Sequence, residues 1–168
     1  MDTASNTSPI HPYAVREIVQ HDPGVGDERL WVPTAEGISF RPLFFSASQG
    51  FWMTVSRIRR SGIVSRHRHP QPVHGYVLSG SWRYLEHNWV AKPGTYIFEP
   101  PGDTHTLFVD EGVDEMVTLF QVHGSMIYVD AAGKIEGYDD VFTRIDQCRR
   151  HFEKVGLGEN YVEQFIRG

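Results

Sequence analysis

The sequence contains a single cysteine, Cys148, so no disulfide can form within the chain. It also lacks any apolar run near the roughly 18 residues that suggest a membrane-spanning helix, and its N-terminus lacks the apolar stretch of a secretory signal. Basic residues are few: 16 Lys and Arg against 21 Asp and Glu give a net charge of −5, which provides no basic surface for nucleic acid or an anionic membrane. These absences predict a soluble cytoplasmic protein that binds neither nucleic acid nor a membrane.

The composition fits one globular domain with a hydrophobic core. Hydrophobic residues make up 40% of the chain and aromatic residues 12%, and the 16 Gly and 10 Pro are spread along it. Short strand-like runs are separated by Gly, Pro, Asp or Asn, a pattern typical of an all-β barrel or sandwich. These runs cover residues 30–32, 38–45, 51–59, 73–78, 81–86, 95–98, 104–109, 115–122 and 125–129.

The hydrophobic period changes after Gly137 from that of strands to that of helices. Asp139 or Asp140 can cap the start of a helix and Gly156 can end it. A shorter amphipathic piece follows at residues 161–166. The apolar residues that recur at helical spacing are Val141, Phe142, Ile145, Cys148, Phe152 and Val155.

Three histidines in two short blocks give the strongest functional signal. His67 and His69 lie within residues 62–69, and His105 closes residues 94–105. Because side chains alternate along a strand, a His-x-His pair directs both imidazoles to one face. A third histidine from a distant strand can complete a facial set of nitrogens that leaves coordination positions open. The pattern predicts a metal site built from His67, His69 and His105.

The spacing of these residues resembles the two motifs of the cupin superfamily. The second motif reads Gly, five residues, Pro-x-Gly, two residues and His, which residues 94–105 match. The first motif reads His-x-His, three or four residues, Glu, six residues and Gly, and His67, His69 and Gly80 match it. The resemblance implies a cupin barrel with one metal ion.

The chain departs from the first motif at its glutamate. Counting six residues back from Gly80 puts Val73 at that position, whereas allowing four residues after His69 puts His74 there. The site would then contain three neutral histidines, or four if His74 also binds. Loss of the carboxylate leaves a more positive metal centre with room for a chelating substrate. Cupins without this glutamate include three-histidine iron dioxygenases.

A longer resemblance, over most of the chain, is to the 2,4'-dihydroxyacetophenone dioxygenase family and more remotely to the acetylacetone dioxygenases. It is carried by residues 41–44, 65–70, 74–84 and 93–107. It implies a non-haem Fe(II) enzyme that uses O₂ to cleave a carbon–carbon bond beside the carbonyl of a small aromatic ketone. An α-hydroxy aryl ketone would give an aryl carboxylate and formate. Three histidines also accept Zn, Ni or Mn.

Glu99 lies six residues before His105, at the spacing of a functional acidic residue in the acetylacetone dioxygenases. The resemblance implies that Glu99 hydrogen-bonds a ligand histidine or accepts the substrate proton. The alternative is a surface carboxylate at a strand end. Six aromatic residues are candidates for a pocket wall, although core packing is the default for each: Trp52, Tyr76, Trp82, Tyr84, Phe98 and Phe108.

We therefore expect an all-β fold: a cupin double-stranded β-helix, or jelly-roll, barrel over residues 13–137, after a flexible tail (1–12). A C-terminal helical segment (138–168) would pack on the barrel. The expected reaction is cleavage of an aryl α-hydroxyketone, with β-diketone cleavage as the nearest competing reaction. The motifs are also compatible with a metal-binding sensory or regulatory cupin without catalysis, and with an isomerase or lyase that uses Mn or Ni. Excess apolar residues predict a homodimer or homotetramer.

Overall fold

The computed structural model describes residues 11–12 and 14–168, so the predicted tail lies largely outside the described residues. The strands are β1 (Val32–Ala35), β2 (Ile38–Ser46), β3 (Phe51–Ile58), β4 (Gly62–Arg68), β5 (Val73–Ser79), β6 (Arg83–Tyr84), β7 (Tyr96–Glu99), β8 (Thr104–Val109), β9 (Met116–His123), β10 (Ser125–Val129), β11 (Ile135–Asp140) and β12 (Ile166–Arg167). The helices are α1 (Val141–Lys154) and two 3-10 helices, Glu28–Leu30 and Glu159–Phe165.

Two sheets form the barrel. One has the strand order β1-β2-β3-β9-β5-β7, with β12 added in parallel beside β2, and the other has the order β11-β10-β4-β8-β6. Strand β5 alternates buried and more exposed positions, because successive side chains point to opposite faces of a sheet. The inward side chains include Phe40, Trp52, Val77 and Phe120. The prediction of an all-β jelly-roll barrel with C-terminal helices is confirmed.

Several predicted boundaries were wrong. Residues 28–30 form a 3-10 helix, so the first strand starts at Val32 instead of residue 30. The predicted strand at 81–86 contains only the two residues of β6. The helical segment begins at Val141 and not at 138, because Asp139 and Asp140 still pair with β10 in an antiparallel ladder.

Helix α1 begins with a capping box. The Asp140 carboxylate accepts a hydrogen bond from the Thr143 backbone N–H at 2.8 Å, and the Thr143 hydroxyl accepts one from the Asp140 N–H at 2.8 Å. Gly156 follows the helix end with φ +78°, which confirms the predicted stop. Among the described residues, no helix combines the length and apolar character needed to cross a membrane.

Replacing Asp140 with Ala should lower the free energy of unfolding by about 1 kcal/mol, since the helix start loses its side-chain cap. The melting temperature should fall by roughly 2–4 °C, as measured by thermal denaturation followed by circular dichroism. Asp146, an exposed residue in the middle of α1, offers the control: Asp146→Ala should leave the melting temperature almost unchanged. Equal shifts for both variants would contradict a capping role.

Candidate metal centre and cavity

The three predicted ligand histidines converge inside the barrel. His67 of β4 pairs directly with His105 of β8 in the antiparallel ladder, and their ring centroids are 4.7 Å apart. His69 lies one residue beyond the end of β4, where the Gly102 N–H donates to its carbonyl at 3.1 Å. Its ring centroid is 5.2 Å from that of His105. All three side chains are buried, so the strand pairing brings the two sequence motifs to one place.

Glu99, the last residue of β7, lies among these histidines. Its Oε2 is 3.1 Å from His69 Nε2 and 3.5 Å from His105 Nε2, and its Oε1 accepts a hydrogen bond of 2.7 Å from the Tyr84 hydroxyl. His67, Glu99 and His105 each offer a ligand atom, and these atoms lie within 4.8 Å of one another, whereas the predicted ligand His69 is not part of this group and its ring centroid is 6.3 Å from that of His67. Because Glu99 is buried, it is not a surface carboxylate. A carboxylate is therefore present in the site despite the altered first motif.

The His67 and His69 rings differ in how their nitrogens are hydrogen-bonded. His69 uses both nitrogens, because its Nδ1 lies 2.7 Å from the Gln71 carbonyl, which can only accept, and its Nε2 lies 3.1 Å from Glu99 Oε2. His67 Nδ1 lies 3.0 Å from the Ser65 hydroxyl. His105 Nε2 is buried and has no hydrogen-bond partner among the described residues. Since a buried polar atom without a partner costs free energy, this donor set fits a bound metal ion.

The electrostatics of the site favour neutral rings at two positions. Burial, with smaller contributions from His105 and His69, lowers the pKa of His67 well below its ordinary value. Burial also lowers the pKa of His105. Burial opposes protonation of His69 as well, but its hydrogen bonds to Glu99 and Gln71 outweigh burial and raise its pKa. A proton and a metal ion therefore compete mainly at His69.

Strand alternation shows which of the two residues at the position of the missing glutamate, Val73 or His74, faces the barrel interior. Val73 is buried and faces the barrel interior, whereas His74 points to the outer face of the sheet. There, His74 Nδ1 lies 2.8 Å from the Tyr96 hydroxyl, and its ring centroid is 5.4 Å from that of Phe98. His74 is therefore not a fourth ligand. Phe98 and Tyr76 are exposed on the same outer face, so neither belongs to a pocket wall.

A cavity of about 440 Å³ lies beside the cluster and is reached by two of its members, His67 and Glu99. Of the predicted wall residues, Trp52 and Tyr84 line it, whereas Trp82 and Phe108 do not. The Tyr84 ring also stacks on His105 at 3.8 Å between centroids. Most of the remaining wall is apolar and includes Phe40, Ile58, Val64, Val73, Leu107, Phe120, Val122, Met126 and Val129.

Residues 25–127 match the sequence profile of the ChrR cupin-like domain. The chain belongs to this cupin family. The match covers both motifs and all four residues of the buried cluster. No curated protein sequence matches the chain.

Solved structures show the same fold. An RmlC-like cupin protein from Ralstonia eutropha JMP134 is 25% identical, with a TM-score of 0.72, and the alignment covers 76% of this chain and 83% of that one. An acetylacetone dioxygenase from Acinetobacter johnsonii is 17% identical, with a TM-score of 0.66 and coverage of 84% and 99%. The polyketide cyclase RemF from Streptomyces resistomycificus is 20% identical, with a TM-score of 0.51 and coverage of 90% and 100%.

The polar residues in the wall of the cupin cavity that the sequence analysis missed include Tyr128 and Arg144. Tyr128 lies on β10 directly opposite His67 of β4, and Arg144 reaches the cavity from α1. Tyr128 falls in a predicted strand and Arg144 in a predicted helix, but neither belongs to a motif. Tyr128 reaches the wall through the pairing of β10 with β4, and Arg144 through the packing of α1 against the barrel; short-range patterns encode neither.

Proposed function

We propose that this cupin is an Fe(II)-dependent dioxygenase that cleaves the side chain of an aryl α-hydroxyketone. For 2,4'-dihydroxyacetophenone, one O₂ would yield 4-hydroxybenzoate and formate. The observation that supports the proposal best is the opening of a buried histidine–glutamate cluster, through His67 and Glu99, onto a cavity with apolar and aromatic walls. A purely structural metal site is closed by its ligands and needs no such cavity.

The chain's own residues supply binding, orientation and proton transfer. Fe(II) bound by His67, His69 and His105 would supply Lewis acidity and a position for O₂. Glu99 can accept the proton that the α-hydroxyketone loses as it becomes an enolate. Tyr84 orients this carboxylate through its 2.7 Å hydrogen bond, and burial, together with Glu99, raises the pKa of Tyr84 so that the phenol remains a donor. The apolar wall excludes water from the reactive ketone.

Oxygen uptake by Fe(II)-loaded protein tests the proposal. With 2,4'-dihydroxyacetophenone we expect one O₂ consumed per ketone, with equal amounts of 4-hydroxybenzoate and formate detected by chromatography. Zn(II)-loaded protein is the matched control and should consume none. Uptake with acetylacetone alone would instead indicate the β-diketone reaction named by the Acinetobacter relative. No uptake with any ketone at full iron occupancy would contradict dioxygenase activity.

A metal-binding regulatory role is the second candidate. It is favoured by the number of buried donors, because His67, His69, Glu99 and His105 together could complete four-coordination around Zn(II) and leave no position for a substrate. The two candidates differ in their response to ketones. A regulatory cupin would bind Zn(II) tightly and show no change in the visible or EPR spectrum of a Co(II)-substituted site when the ketone is added, whereas the proposed enzyme would change it.

A further inference from the structure

One cationic side chain in the cavity wall comes from outside the barrel. Arg144 lies on α1, and only 11% of its side chain is exposed. Its guanidinium carbon is 4.6 Å from the ring centroid of Phe40, which lines the same cavity. Burying an arginine costs free energy unless its N–H donors are hydrogen-bonded. The existing hydrogen bonds of Arg144 therefore show which donors remain for a ligand.

The partners of Arg144 balance its charge but do not use all its donors. Nη2 lies 3.1 Å from Asp139 Oδ2 and 3.4 Å from the Tyr128 hydroxyl, and Nη1 donates to Gln147 at 3.2 Å. Nε has no acceptor among the described residues. Asp139 is already occupied, because it also accepts hydrogen bonds from Tyr128, Thr143 and Gln147. Nε is itself buried, but Nη1 has a second N–H, so the guanidinium can serve another acceptor, and a neutral one suits a charge that is already paired.

Tyr128 contacts both this arginine and the candidate metal ligand His67. The Tyr128 ring centroid is 6.5 Å from that of His67, and the Tyr128 hydroxyl reaches toward Arg144. His67, Tyr128 and Arg144 therefore follow one another in the cavity wall. A tyrosine side chain is itself a 4-hydroxyphenyl group, so a substrate ring of that size lying along Tyr128 would bring its hydroxyl near Arg144.

The Tyr128 hydroxyl is held in one orientation by two partners. It donates a 2.6 Å hydrogen bond to Asp139, and its oxygen accepts one of 3.4 Å from Arg144 Nη2. A phenol placed here could accept a hydrogen bond from Arg144. A carboxylate could accept from Arg144, but it would be repelled by the nearby Asp139.

We propose that Arg144 and Tyr128 form a subsite that selects ketones with a phenolic hydroxyl para to the ketone side chain. The proposal rests on the proposed function in one respect, since it assumes that the ketone end lies at His67. A ring without the hydroxyl would bury the cavity's polar groups without giving them a new partner. Sites built to hydrogen-bond a hydroxyl reject analogues that lack it.

Ligand binding without turnover tests the subsite. Calorimetry on Zn(II)-loaded protein would compare 4'-hydroxyacetophenone with acetophenone, neither of which carries the α-hydroxyl. We expect the phenol to bind about tenfold more tightly, as for one hydrogen bond to a charged group. Arg144→Met should abolish this preference, while Arg149→Met, which changes an exposed arginine on the same helix, should retain it.

Equal affinity of the wild-type protein for the two ligands, or a tenfold preference retained by Arg144→Met, would overturn the subsite. If Arg144→Met does not fold, the wild-type protein decides with two further ligands: tighter binding of 4'-methyl- or 4'-carboxyacetophenone than of the phenol would also overturn it. The outcome is separable from that of the proposed function. A phenol preference without O₂ uptake supports the subsite and contradicts the dioxygenase, and the converse result contradicts the subsite alone.

Discussion

His105→Ala removes most of the bound metal: after dialysis we expect below about one tenth of the wild-type iron content, because even loss of an outer partner weakens metal binding by 10–100-fold. His105 Nε2 is buried and has no hydrogen-bond partner among the described residues, so a bound metal ion would satisfy it. Without it the site retains His67, His69 and Glu99. Iron per protein would be measured by elemental mass spectrometry, and O₂ uptake should fall in parallel.

Two controls separate metal binding from folding. His74→Ala changes a histidine on the outer face of the same barrel and should retain both iron and activity. His105→Gln preserves more of the volume beside Tyr84, whose ring stacks on His105, and should lose iron with a smaller change in melting temperature. Full iron occupancy in His105→Ala would refute the ligand assignment.

Glu99→Gln should lower kcat by about a hundredfold or more, the usual contribution of a positioned general base. Glutamine keeps the shape of the side chain and can still accept the Tyr84 hydrogen bond through its amide oxygen, but it cannot accept the substrate proton. Iron content should stay near the wild-type value if the three histidines are the ligands. Steady-state O₂ uptake and iron analysis on the same preparation measure both quantities.

The result for Glu99→Gln also distinguishes the two roles that the position of Glu99 allows, metal binding and proton transfer. Loss of iron together with activity would identify Glu99 as a metal ligand, as its distance to the histidines permits. An unchanged kcat would exclude a part in proton transfer. Glu115→Gln, which removes a carboxylate paired with Arg59 outside the cavity, is the matched control and should leave kcat unaltered.

The sequence predicted the fold and the meeting of the two motifs because both follow from short spacing rules. Strand alternation and the turn before β8 were enough to bring His67 and His105 together. The position of the missing glutamate needed more, since the spacing from Gly80 gives Val73, a four-residue spacing after His69 gives His74, and only the strand shows which one faces inward. Arg144 could not be predicted, because its contact with Phe40 depends on helix packing across distant parts of the chain.

Helix α1 is held at both ends by sheet pairing: β11 leads into it from the sheet that contains β4 and β8, and β12 after it adds to the edge of β2 in the other sheet. The candidate metal ligands come from β4, the turn after it, β7 and β8, whereas Arg144 comes from this anchored helix. The candidate metal site and the helical part of the cavity wall are thus encoded in separate stretches of the chain. Exchanging α1 between relatives, with β11 and β12 as the joints, would change that part of the wall while leaving the candidate ligands in place.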